Sequence, residues 1–147
     1  MILRQVTSKD FDWIVENYID VFSSEPWNDD LEVKQIENYV KELFEMNTFN
    51  GFIAEVGNNR IGASLGYIKP WYQGKEYALD TFFISKKFHS KGFGSQFLSL
   101  IKKELLKENI PAIILDTDRG MPAEIFYKNN GFKISEESII MFCDVSK

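Results

Sequence analysis

Apolar side chains recur along the first 50 residues with a helical period. Phe11, Ile14, Val15, Tyr18, Val21 and Phe22 are spaced by threes and fours, which predicts an amphipathic helix. A short strand at Ile2 to Val6 precedes it, and Thr7 and Ser8 offer an N-cap. Leu31, Ile36, Tyr39, Val40, Leu43 and Phe44 predict a second helix. Between the two helices, Ser23-Ser24-Glu25-Pro26-Trp27-Asn28-Asp29-Asp30 has turn chemistry and forms an acidic loop that carries a tryptophan.

The period then changes. Gly51 to Val56 and Arg60 to Ile68 predict strands joined at Gly57-Asn58-Asn59, the pattern of a hairpin, and a loop around Pro70-Trp71-Tyr72-Gln73-Gly74 ends it. Tyr77 to Ile84 is apolar on both faces apart from Asp80 and Thr81, as expected of a central strand covered on both sides. Gln96 to Lys107 predicts a helix with Phe97, Leu98, Ile101 and Leu105 facing the sheet, and Ala112 to Leu115 a short buried strand. Pro122 opens a last helix that stops at Asn130-Gly131. Ile134 and Ser138 to Cys143 predict the final strands, with Cys143 in the core. The pattern predicts an α/β fold: a mixed, mostly antiparallel central sheet with helices on both faces and one strand-helix-strand crossover at residues 77–115.

Composition narrows the class. With 147 residues, 44% hydrophobic and 15% aromatic, the chain suits a single domain over 1–147 with one substantial core, and disorder is excluded. The formal net charge is −5, the wrong sign for a protein that binds phosphate backbones. Residues 1–50 hold 4 basic and 11 acidic side chains, whereas residues 86–103 carry Lys86, Lys87, Lys91, Lys102 and Lys103 with no acid. One cationic and one anionic partner are thereby suggested. Cys143 and His89 are the only cysteine and histidine, so no disulfide framework, metal site or histidine-based hydrolysis is expected. No signal or membrane span is visible, and a cytoplasmic protein is expected.

The segment with most chemistry is His89-Ser90-Lys91-Gly92-Phe93-Gly94-Ser95-Gln96, between the apolar strand and a helix. Glycines at 92 and 94 allow backbone to approach an anion, and the free N–H groups of a helix start attract one. A dinucleotide fingerprint would need a third glycine where Phe97 stands, although Asp116 at a plausible distance keeps that reading as a minor alternative, and Lys91 precedes its glycine, unlike the lysine of the nucleoside-triphosphate loop. The stretch resembles the pyrophosphate signature of the GCN5-related N-acetyltransferases (GNAT), with His89 where that signature carries Gln or Arg. Leu79 to Ile84 is similar to the family's fourth strand, and Pro122 to Phe132 to its later helix. Gly120 stands where many members carry Asn. Glu25-Pro26-Trp27 resembles members that acetylate polyamines and aminoglycosides.

The resemblance implies acetyl-coenzyme A as acetyl donor, held by Phe83, Ile84, His89, Lys91, Gly92, Phe93, Gly94 and Ser95. It implies Tyr127 as general acid toward the departing sulfur, and a homodimer as the assembly. Asp80, the one charge inside the apolar strand, is the candidate base or amine anchor, with Glu76 as fallback. Glu25, Trp27, Asp29, Asp80, Trp71 and Tyr72 would form an acidic, aromatic-walled site for a small-molecule amine, with neither nucleic acid nor membrane as partner. The alternatives are a protein or peptide N-acetyltransferase and a non-catalytic acyl-coenzyme A sensor.

Overall fold

The hairpin turn at Gly57-Asn58 sets the register of the sheet. Both residues have positive φ, +55° and +68°, and Val56 pairs with Asn59 across them, the geometry of a tight two-residue turn. The computed structural model describes residues 1–147. Its sheet has the order β1 (Ile2–Gln5), β2 (Phe49–Val56), β3 (Asn59–Trp71), β4 (Gly74–Ile84) and β5 (Ala112–Ile114). All neighbours are antiparallel except β4 and β5, which are parallel through the expected crossover helix. This is the mixed, mostly antiparallel α/β sheet expected from the sequence.

Helices α1 (Phe11–Phe22) and α2 (Val33–Glu45) share one face of the sheet. Their buried stripes, Ile14, Val15 and Val21 with Ile36, Val40 and Leu43, pack against Ile53, Ala63, Leu65 and Phe83. Helix α3 (Phe93–Lys107) buries Phe97, Leu98, Ile101 and Leu105, and Phe97 stacks on Phe82, whose side chain points away from that of Phe83. Small residues on β3 let this packing close. A Cβ on Gly66 would lie 2.4 Å from the Ala78 carbonyl and 2.8 Å from the Tyr77 ring. Tyr77 is fully buried there, and its hydroxyl donates to the Asn50 carbonyl at 2.9 Å while lying 3.0 Å from Ser64 Oγ.

The entry to α1 is held by a buried carboxylate. Asp10 accepts two bonds of 2.8 Å from Arg4 on β1, one of 3.2 Å from Arg60 on β3, and the Thr7 N–H in a capping box.

The chain divides into a compact unit of residues 1–116 and a smaller one of residues 117–147. In the second, α4 (Pro122–Asn129) starts at its proline, and Gly131 at φ +89° reverses the chain after it. The strands expected at Ile134 and Ser138 to Cys143 are absent. That stretch has neither helix nor ladder, and Ile139, Ile140, Met141 and Phe142 are 78–90% exposed. Cys143 is exposed as well, not buried in a core. Apolar alternation marks a segment able to pair, but the pairing itself needs a free sheet edge in register. No helix is long and apolar enough to cross a membrane.

Candidate functional site

Two departures from regular strand pairing meet on β4. Leu65 of β3 pairs with Thr81 and Gly66 with Leu79, so Asp80 is the extra residue of a β-bulge. The ladder with β5 also stops here, at Ala78 and Ile114, while β4 runs on for six more residues. Successive side chains of a strand normally point to opposite faces. The bulge lets Asp80 and Thr81 converge instead on one atom, the hydroxyl of Tyr39 on α2.

Asp80 is exposed, in contrast to the covered position expected of a central strand, because the bulge turns it outward. Its Oδ1 accepts a hydrogen bond from the Tyr39 hydroxyl, and the Thr81 hydroxyl lies 3.5 Å from the same oxygen. No lysine or arginine is ion-paired with it. Burial, and then the Asp80 carboxylate, push the Tyr39 phenol above its ordinary range, so it stays a proton donor at neutral pH. Tyr18 on α1 packs edge-on against Tyr39 with ring centroids 5.7 Å apart. Its own phenol is pushed up by burial and by the negative charges of Asp80 and Asp29, so both carboxylates act on one aromatic pocket.

The other acceptor candidates divide. Trp27 is half-buried and packs edge-on against Phe22 at 5.0 Å, beside the same cluster. Glu25, Asp29 and Asp30 are exposed on the loop that carries it. Trp71 and Tyr72 pack on each other at a tilt, ring centroids 5.0 Å apart, at the tip of the β3–β4 hairpin, 50% and 83% exposed. From Gly74 at that tip to Asp80 the strand rises by about 20 Å, so the structure does not bring these two rings to Asp80. Glu76, paired with Lys69 across the ladder, is likewise about 13 Å along the strand from it.

At the other end of β4 the expected anion cradle has definite geometry. Gly92 takes φ +77° and Ser90 +61°, turning the chain into α3 without any side-chain cap. The first bond inside the helix is Gln96 N–H to Gly92 C=O at 3.3 Å, which leaves the amides of Phe93, Gly94 and Ser95 outside the helical ladder. A Cβ at Gly92 would meet nothing within 4 Å, so the position is open as well as left-handed. Lys91 is exposed beside it. These donors fit a pyrophosphate: amides, positive charge and a bare backbone. His89 Nε2 donates to the Ile84 carbonyl, which ties the loop back to the end of β4 and spends that nitrogen on the protein. Phe83 is in the core against Trp13 and Phe22, so a ligand beside it would meet backbone only.

In the second unit, Tyr127 lies on α4 between Phe126 and Phe132, with centroids 5.3 Å and 5.2 Å away, and burial pushes its phenol up to about 12. Gly120, at φ +81°, gives its N–H to Glu124 at 2.9 Å. Tyr18, Tyr39 and Thr81 were not among the residues singled out for chemistry from the sequence. Tyr39 falls on the apolar stripe of α2 and reads as core; the one available signal is a phenol that needs a partner on that stripe.

Residues 11–132 match the model of the acetyltransferase (GNAT) family. Among solved structures, the chain is similar to a possible acetyltransferase from Clostridium difficile 630, with TM-score 0.82, 16% identity and coverage of 98% and 97% of the two chains. It is also similar to a transcriptional regulator from Bacillus halodurans C-125, with TM-score 0.74, 21% identity and coverage of 97% and 99%. A third is an aminoglycoside acetyltransferase from an uncultured soil metagenomic sample, in complex with sisomicin, with TM-score 0.73, 12% identity and coverage of 98% and 95%. At these identities the likeness concerns the fold. No curated protein sequence matches the chain.

Proposed function

Because the chain belongs to the GNAT acetyltransferase family, we propose that it moves the acetyl group of acetyl-coenzyme A to a primary amine of a small cationic acceptor, aminoglycoside- or polyamine-like, within a ternary complex. The observation that carries the acceptor half is Asp80. It is an exposed carboxylate on a bulged strand, held by hydroxyls and without a cation of its own.

Acetyl-coenzyme A would bring an acetyl group already activated as a thioester. The amides of Phe93, Gly94 and Ser95, with Lys91 and the bare backbone of Gly92, are the groups that would hold its pyrophosphate. Backbone at Phe83 and Ile84 would line the reacting end, and His89 would act mainly by fixing the loop. An alkylamine with pKa near ~10 is only about one part in a thousand neutral at pH 7, a shortfall of roughly 4 kcal/mol. Asp80 offsets it by anchoring the ammonium and taking its proton, directly or through water. Asp29 and Glu25 add negative charge on the loop, and Trp27 adds an aromatic wall. Tyr127, kept protonated by burial, supplies the proton for the sulfur.

The test is turnover. Asp80→Asn and Tyr127→Phe should each lower kcat at least about tenfold and leave acetyl-coenzyme A affinity within a few-fold, the pattern of groups that act only in the transition state. Full turnover in both variants would remove these roles. A second reading, acetylation of a peptide amine, is favoured by Trp71 and Tyr72, which lie too far along β4 for a small amine to touch both them and Asp80. Acetylation of peptides in place of free polyamines and aminoglycosides would favour that reading.

A further inference from the structure

We infer that Tyr39 is the residue that positions Asp80 for the acceptor amine, which rests on the role proposed for Asp80 above. An aspartate on an exposed bulge can rotate about both side-chain bonds, and a freely rotating carboxylate presents its oxygens in many directions. Here Oδ1 is fixed from outside the strand. A carboxylate oxygen only accepts, so the single phenolic proton of Tyr39 points to Asp80 Oδ1. The Thr81 hydroxyl lies 3.0 Å from the same phenolic oxygen and 3.5 Å from Asp80 Oδ1, so its single proton goes to the nearer acceptor, Tyr39. The result is a directed chain, Thr81 to Tyr39 to Asp80, in which each bond polarises the next.

The chain has a firm base. Tyr39 lies on the two turns of α2 that carry the buried Ile36, Val40 and Leu43, and Tyr18 closes one side of its ring. Thr81 is 4% exposed. With Oδ1 taken, Oδ2 is the oxygen without a protein partner and the one left for an ammonium. The groups beside Asp80 are Tyr39 from α2 and Thr81 from β4, with Tyr18 of α1 packed on Tyr39, and the charges of Asp80 and Asp29 both push the Tyr18 phenol up. None of them is a cation that would compete with the amine.

A hydrogen bond that merely tethers α2 to β4 would make the same contact, and a double-mutant cycle separates the two roles. The probes are acetyl-coenzyme A with spermidine and with kanamycin. Tyr39→Phe keeps the ring and its packing; its kcat should fall about tenfold while KM for acetyl-coenzyme A stays within about twofold. In an Asp80→Asn background the same change should have less than about a twofold further effect, because nothing remains to be positioned. Thr81→Val, isosteric and one bond further away, should cost about threefold and be equally silent in that background. Losses that multiply across the cycle, or full rate in Tyr39→Phe beside an impaired Asp80→Asn, would overturn the inference and leave the role of Asp80 standing. An Asp80→Asn enzyme of undiminished rate would instead remove that role, and the inference with it. Should neither probe be turned over, the small-amine reading fails by itself. The contact is then read from the 13Cζ resonance of Tyr39 in the wild type and in Asp80→Asn, without an amine. A difference between the two proteins supports the inference, and identical resonances overturn it.

Discussion

At the scale of single residues, the two carboxylates that matter most have opposite surroundings. Asp10 is 1% exposed, and burial alone would push its carboxyl up; the bidentate Arg4, with Thr7 N–H and Arg60, outweighs this and pulls it from 3.8 to about 2. A depressed carboxylate stabilises the fold above its unfolded pKa and loses that contribution as pH falls through its folded one. Asp10 should therefore add stability in full above about pH 4 and lose it as pH falls toward about 2. Chemical denaturation from pH 5 to pH 2 checks this: the acid loss should shrink in Asp10→Asn, and equal losses in both proteins would contradict it. Asp80 meets two hydroxyls and no cation, which suits a group that waits for one. In the sequence Asp80 is legible as an anomaly, a charge in an apolar run. Asp10 is not, because an acid at a helix start is ordinary and the arginines that bury it are 6 and 50 residues away in the chain.

At the scale of elements, sheet register does most to build the site. The helices α1, α2 and α3, the hairpin and the crossover all follow from hydrophobic period and turn chemistry, with α3 starting at Phe93 and not at Gln96. The bulge at Asp80 does not follow, because the run from Tyr77 to Ile84 is apolar on both faces apart from Asp80 and Thr81, and with no alternation to interrupt, an extra residue leaves no mark in the pattern. Nor does the fate of residues 138–143, whose strand-like composition finds no ladder. Tyr39 and Thr81 were hidden for the same reason: their partner is set by a bulge that periodicity cannot reveal. Gly66 lies opposite that bulge, and its bare Cα lets β3 pass over Tyr77 and the Ala78 carbonyl. Gly66→Ala should cost about 2 kcal/mol or more, through a contact no rotamer can relieve. Its Tm should fall by about 5 °C or more. An unchanged Tm would mean that the β3–β4 register is looser than described.

At the scale of the molecule, charge and chemistry divide along the chain. The first 50 residues are strongly acidic and bring Asp29 and the Trp27 loop to the cluster around Asp80, while the lysine-rich stretch of residues 86–103 contains the anion cradle. On the proposed reading, the opposite partners expected from sequence would bind at two separated features at the two ends of Leu79–Gly94, the cation at the bulge and the anion at the start of α3. Family membership accounts for the second and leaves the acceptor to be found. The central claim is that this chain binds acetyl-coenzyme A through the start of α3. Thermal unfolding with and without acetyl-coenzyme A tests it most directly, with Gly92→Val as the control that strains the left-handed position and fills an open one. At about 100 times the dissociation constant, the ligand should stabilise the wild type by about 2.7 kcal/mol, a rise of several degrees. Gly92→Val should stay folded and show little shift. A folded wild type with no shift, or a Gly92→Val protein stabilised as strongly as the wild type, would contradict the account.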